Sequence, residues 1–117
     1  MSAIGDLVMF KDGTSINGLV NVKQFTIKTK YGTLKLKKKD IFTIHYKNPP
    51  QFLVDEMQLG AGTRLEGEIL PSIIPIRPEG FNQTLNVSKN DIGTLVFYTG
   101  ARQSISKAIT KQLQKLK

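Results

Sequence analysis

The chain carries nearly the same message twice. Residues 12–20 read DGTSINGLV and residues 61–69 read AGTRLEGEI, an offset of 49 that keeps Gly13/Gly62, Thr14/Thr63 and Gly18/Gly67 in register. After a two-residue slip the match resumes at an offset of 51, where residues 33–46 (TLKLKKKDIFTIHY) lie over residues 84–97 (TLNVSKNDIGTLVF). Identities there include Lys38/Lys89, Asp40/Asp91, Ile41/Ile92 and Thr43/Thr94. A repeat of this length with strand-like composition predicts two copies of one small β unit.

Each copy reads as five short strands. In the first they fall at residues 5–11, 14–21, 25–30, 33–38 and 41–46, segments rich in Val, Ile, Thr, Phe and Leu and bounded by turn residues. Gly18, inside the second strand, is expected where the curled sheet bends and has no room for a Cβ. Pro71, Pro75 and Pro78 surround the third strand of copy two, which predicts an edge or irregular segment there, followed by an enlarged loop at 78–83. Asn48-Pro49-Pro50 forms the linker, and residues 52–56 suit a helical turn. Beyond Gly100, Ile105, Ile109, Leu113 and Leu116 recur at helical spacing, with Lys107, Lys111 and Lys115 on another face. The expected organisation is therefore all-β, with repeat 1 over residues 1–48, repeat 2 over 52–100, and a C-terminal amphipathic basic α-helix over 101–117. Whether each copy closes its own barrel or the two exchange strands across the linker is open at this level.

Charge separates the copies. Residues 1–50 hold nine lysines against three aspartates, a net of +6; residues 51–100 hold three basic against six acidic residues, a net of −3; residues 101–117 add +5. Such asymmetry suits an anionic partner for the basic parts, or unlike surfaces that meet in an assembly. The chain has no cysteine and one histidine, which rules out disulfides and a Cys/His zinc site, so no cofactor or metal is expected. No apolar run approaches the ~18 residues of a membrane helix, and a soluble cytoplasmic protein without membrane contact is the expectation.

The third-to-fourth-strand hairpin of copy one is the candidate binding surface. With Tyr31-Gly32 as a two-residue turn, Ile27 pairs with Leu36 and Thr29 with Leu34, and Lys28 stands opposite Lys35. Lys30, Lys37, Lys38 and Lys39 extend this basic field, which an anion or phosphate backbone would neutralise. The same lysines also serve simply to solvate a strand face and discourage aggregation. Phe25, Tyr31, Phe42 and Tyr46 lie among them, a mixture used by single-stranded nucleic-acid sites, although Phe25 and Phe42 also fit core positions. Catalysis is not expected. Glu66/Glu68 and Asp55-Glu56 are commonplace spacings, His45 alternates to the outside of its strand, and no Ser-His-acid grouping or phosphate loop accompanies them.

Gly13 and Gly18 in a G-x4-G, the following Gln24-Phe25, and Lys38-Lys39-Asp40-Ile41-Phe42-Thr43 resemble the two sequence motifs of the Sm-like proteins, the family that includes Lsm proteins and Hfq. The resemblance spans residues 5–46, with a weaker echo over 57–98. It implies two tandem five-stranded, strongly bent antiparallel barrels, homo-oligomeric rings built edge to edge, and single-stranded RNA as partner rather than a small-molecule substrate. It also implies that Gln24 and Phe25 contact bases and that Lys38 approaches a base or the backbone. With the hairpin, the expected interface is Gln24, Phe25, Lys28, Lys30, Tyr31, Lys35, Lys37, Lys38 and Lys39. A purely structural ring or scaffold is the alternative.

Overall fold

A computed structural model describes residues 5–60 and 62–97. The C-terminal helix expected at 101–117 lies outside the described residues. Ten antiparallel strands form one curled sheet: β1 (Asp6–Phe10), β2 (Ser15–Val20), β3 (Gln24–Thr29), β4 (Gly32–Lys37), β5 (Ile41–His45), β6 (Asp55–Leu59), β7 (Arg64–Leu70), β8 (Ile73–Pro78), β9 (Leu85–Ser88) and β10 (Ile92–Val96). One turn of 3-10 helix, Lys38–Asp40, links β4 to β5, and its counterpart Lys89–Asp91 links β9 to β10. The expected helical turn at 52–56 is absent: Phe52 bridges Asn48 through paired backbone bonds, and β6 begins at Asp55.

The sheet order is β4-β3-β7-β6-β5-β10-β1-β2-β8-β9. Exchanging each strand for its counterpart in the other copy turns this order into its own reverse, so the sheet has an internal pseudo-twofold. The axis runs through the β5–β10 pair, where Ile44 faces its equivalent, Leu95. Two separate barrels in tandem are thus corrected to one sheet in which the copies interleave. β2 pairs with β8 rather than β3, β7 pairs with β3, and β1 and β6 pair with the last strand of the other copy. Each half contains five strands, two from one copy and three from the other.

Alternation of apolar and polar residues sets which face is buried. β3 and β8 share one burial pattern, and β2 and β7 share another. The inward residues, among them Val8, Phe25, Ile27, Ile44, Met57, Ile69, Ile76, Leu95 and Phe97, form one continuous core across the seam. Phe25 packs on Phe97 with ring centroids 5.8 Å apart, which joins β3 of copy one to the end of copy two. Such burial stabilises by about 1.5–3 kcal/mol per large side chain.

β8 is not the expected edge, since it pairs on both sides. Its prolines sit where a donor is dispensable. Pro75 meets Asn21 just past the end of β2 and accepts a bond from its N–H at 2.9 Å, so only the return bond of a terminal rung is missing. Gly18 and Gly67 are required for a reason other than a bend. A Cβ on Gly18 would run into the Arg77 carbonyl oxygen, and one on Gly67 into the Lys28 carbonyl oxygen. In each case the obstructing backbone belongs to the other copy, so the glycines admit the exchanged strands.

Gly18→Ala and Gly67→Ala are each expected to lower stability by about 3 kcal/mol, because the obstacle is backbone and cannot swing aside. Gly93→Ala, whose Cβ would come no nearer than 3.4 Å to any heavy atom beyond its chain neighbours, is expected to change it by less than about 1 kcal/mol. Urea unfolding of the three variants checks this.

Candidate nucleic-acid interface

The β3–β4 hairpin turns one step earlier than the Tyr31-Gly32 reading expects. Thr29 sits opposite Gly32, leaving Lys30 and Tyr31 as the turn. The Thr29 hydroxyl fixes this choice, donating to the Gly32 carbonyl at 2.8 Å and accepting from the Tyr31 N–H at 3.1 Å, while Gly32 takes φ +144°. The pairing therefore shifts by two residues. Lys28 faces Thr33 and Lys35 faces Thr26, so the expected Lys28–Lys35 opposition does not occur. On its other side Lys28 stands opposite Glu68 of β7, so strand exchange lays the basic hairpin beside an acidic strand.

Gln24, Thr26 and Lys28 point outward between buried Phe25 and Ile27, with Lys37, Lys35 and Thr33 across from them. Lys30, Lys35, Lys37 and Lys39 are exposed, and among the described residues none of them, nor Lys28, has an ion-pair partner. Tyr31 is 88% exposed at the hairpin tip, with the Lys30 ammonium 5.1 Å from its ring centroid. Lys23, which the sequence reading passed over, joins this surface. Its carbonyl accepts the Lys38 N–H at 2.9 Å, and it lines a groove of ≈ 580 Å³ together with Gln24, Lys37, Lys38 and Lys39.

Two expected contacts are withdrawn from the surface. Phe25 is fully buried in the core and offers no face to a base. Lys38 is engaged in a largely buried ion pair, its ammonium 2.6 Å from Asp6 Oδ2 and 2.9 Å from the Val20 carbonyl, while the Val20 N–H donates to the same Asp6 oxygen at 2.9 Å. The second copy repeats the arrangement. Lys89 donates to Asp55 Oδ2 at 3.1 Å and to the Ile69 carbonyl at 2.9 Å, and the Ile69 N–H donates to Asp55 at 2.9 Å. The signal was present in the sequence: Lys38/Lys89 recur at an offset of 51 and Asp6/Asp55 at 49.

At the seam His45 looks outward, as its alternation predicts, but it is not bare. Its ring stacks on Phe52 with centroids 4.5 Å apart, and Nδ1 lies 3.0 Å from the Thr94 hydroxyl. Burial lowers its pKa below the usual value, and the charge of Glu56, opposite it on β6, acts in the other direction. Glu56 is itself buried and held by Arg64 at 3.0 Å and Gln58 at 3.1 Å. Burial, with a smaller contribution from Asp55, raises the pKa of Tyr46. No group of three or more His, Cys, Asp or Glu side chains comes together among the described residues.

What the arrangement can do chemically is present a strip of unpaired ammonium groups, one glutamine amide and one exposed aromatic ring along an edge hairpin. Comparison with protein-family models, curated proteins and solved structures finds no match.

Lys38→Ala and Lys89→Ala are expected to cost about 3–5 kcal/mol, since each strands a buried carboxylate. Lys35→Ala, Lys37→Ala and Lys39→Ala are expected within about 0.5 kcal/mol of the parent in the same denaturation assay. For His45 the lowered folded pKa means that its contribution is complete above about pH 6.5 and is lost as pH falls through the folded value. The stability difference between the parent and His45→Gln should therefore shrink on acidification from pH 7 to 5. A pH-independent difference in paired thermal melts would contradict this.

Proposed function

We propose that the chain is an Sm-like, non-catalytic protein that binds single-stranded RNA or another single-stranded nucleic acid through the outer face of the β3–β4 hairpin. The observation that carries this reading is the row of lysines, 28, 30, 35, 37 and 39, which have no ion-pair partner among the described residues, on one hairpin whose remaining lysine, Lys38, is neutralised inside. Like charges held together in this way repel one another, and a phosphate backbone relieves the repulsion while releasing its counterions. Tyr31, with Lys30 beside it, supplies a stacking face at the tip, and Gln24 supplies a hydrogen-bonding amide next to Lys37.

The Sm-like reading is supported by the two motif segments and by each half of the sheet holding one strand of every rank, first to fifth. In this reading the motif residues divide their roles. Lys38 and Gly18 serve construction, and Gln24 with the neighbouring lysines serves binding. A second reading, a non-catalytic assembly or ring protein that needs no nucleic acid, draws its support from the two edges of the sheet, which have no partner strand among the described residues.

Binding of a fluorescent single-stranded RNA tests the first reading. A log–log salt slope of about −3, corresponding to about four phosphate contacts, is expected, and Lys35→Glu/Lys37→Glu/Lys39→Glu should abolish binding with the fold intact. Binding that ignores both salt and the triple substitution would reject it.

A further inference from the structure

Among the described residues the sheet ends in two strands that pair on one side only, β4 and β9, and the internal pseudo-twofold makes them equivalents. Leu34 on β4 is 47% exposed and its equivalent Leu85 on β9 is 45% exposed, so each edge leaves a core-face leucine half covered. The direction of the unused backbone bonds follows from the ladder. Asn86 sits opposite Pro75, whose carbonyl is turned toward β2 and taken by Asn21. The Pro75–Asn86 pair therefore exchanges no bonds, and the Asn86 N–H and C=O point off the sheet. By the same pattern Lys35, opposite Thr26, points its N–H and C=O off the other edge.

We propose that a second copy of this chain occupies these edges, β4 of one molecule pairing antiparallel with β9 of the next. The pairing specifies the contact for the assembly part of the reading above and is independent of nucleic-acid binding. A register with Lys35 opposite Asn86 brings outward N–H and C=O groups together and places Leu34 and Leu85 on the same face. Charge selects this pairing over β4 against β4. β4 against β4 sets Lys35 and Lys37 against their own kind, whereas in the register above Asn86 stands opposite Lys35, and Thr84, just before β9, falls opposite Lys37. Because the two surfaces differ, the contact is head-to-tail and propagates into a ring or an open chain.

Sedimentation of nuclease-treated protein tests the contact, with Lys35→Pro and Asn86→Pro as blocks. Neither position donates within its own ladder, so each substitution closes one edge at little cost to the fold. The parent should associate with rising concentration. Each variant alone should remain at the 13.0 kDa chain mass, and an equimolar mixture should give one species of twice that mass and nothing larger. A parent that stays monomeric, a single variant that still associates, or a mixture that stays monomeric would each overturn the proposal. If circular dichroism shows a proline variant unfolded, Asn86→Lys/Ser88→Lys replaces both. Its association should be lost at low salt, and association equal to the parent would be fatal to the idea. Since no nucleic acid is present, this outcome and that of the RNA assay are read separately.

Discussion

Two aspartates near the starts of equivalent strands hold the architecture in place. Asp6 accepts the Val20 N–H and the Lys38 ammonium on one carboxylate oxygen, and Lys38 closes the triangle on the Val20 carbonyl. Burying both charges costs several kcal/mol per ion, and the arrangement offsets this because nearly every polar atom in the triangle is used. Its position matters as much as its strength. β4 lies in one half of the sheet, and the residue that follows it, Lys38, is anchored to β1 and β2 in the other. The ion pair thus marks where the chain returns to the seam after lending its hairpin. Asp55, Ile69 and Lys89 do the same for copy two.

Lending the hairpins is possible only because β2 and β7 each carry a glycine where the other copy's backbone passes closest. The exchange joins the two copies through core contacts such as Phe25 against Phe97, so neither copy has a core of its own. It also sets the unequal charges side by side: the lysine-bearing β3 lies against the glutamate-bearing β7, with Lys28 in register with Glu68.

Lys30, Lys35, Lys37 and Lys39 stay outside, joined by Lys23 across the groove, on a hairpin whose backbone edge is also open. The lysine side chains lie on the face of this hairpin and the outward amide groups on its edge, so charge and backbone hydrogen-bonding capacity are displayed in different directions.

The repeat, the ten strands, the outward alternation of the lysines and the importance of Gly18 and Gly67 were all readable in the sequence, because they rest on local periodicity and on residue types with few conformational alternatives. The roles of Phe25 and Lys38 were not, since both sit in motifs whose local pattern fits exposure as well as burial. Hairpin register was misplaced because it depends on where the Thr29 hydroxyl bonds, and either pair of turn residues satisfies the local pattern. Strand partnership lay furthest from reach. A strand's own residues state which face is buried but not whose backbone will bond its edge, and between two near-identical copies the pattern is equally satisfied by self-pairing and by exchange. Only the tertiary structure decides that, through the core that forms across the seam and the two aspartates that bring the chain back.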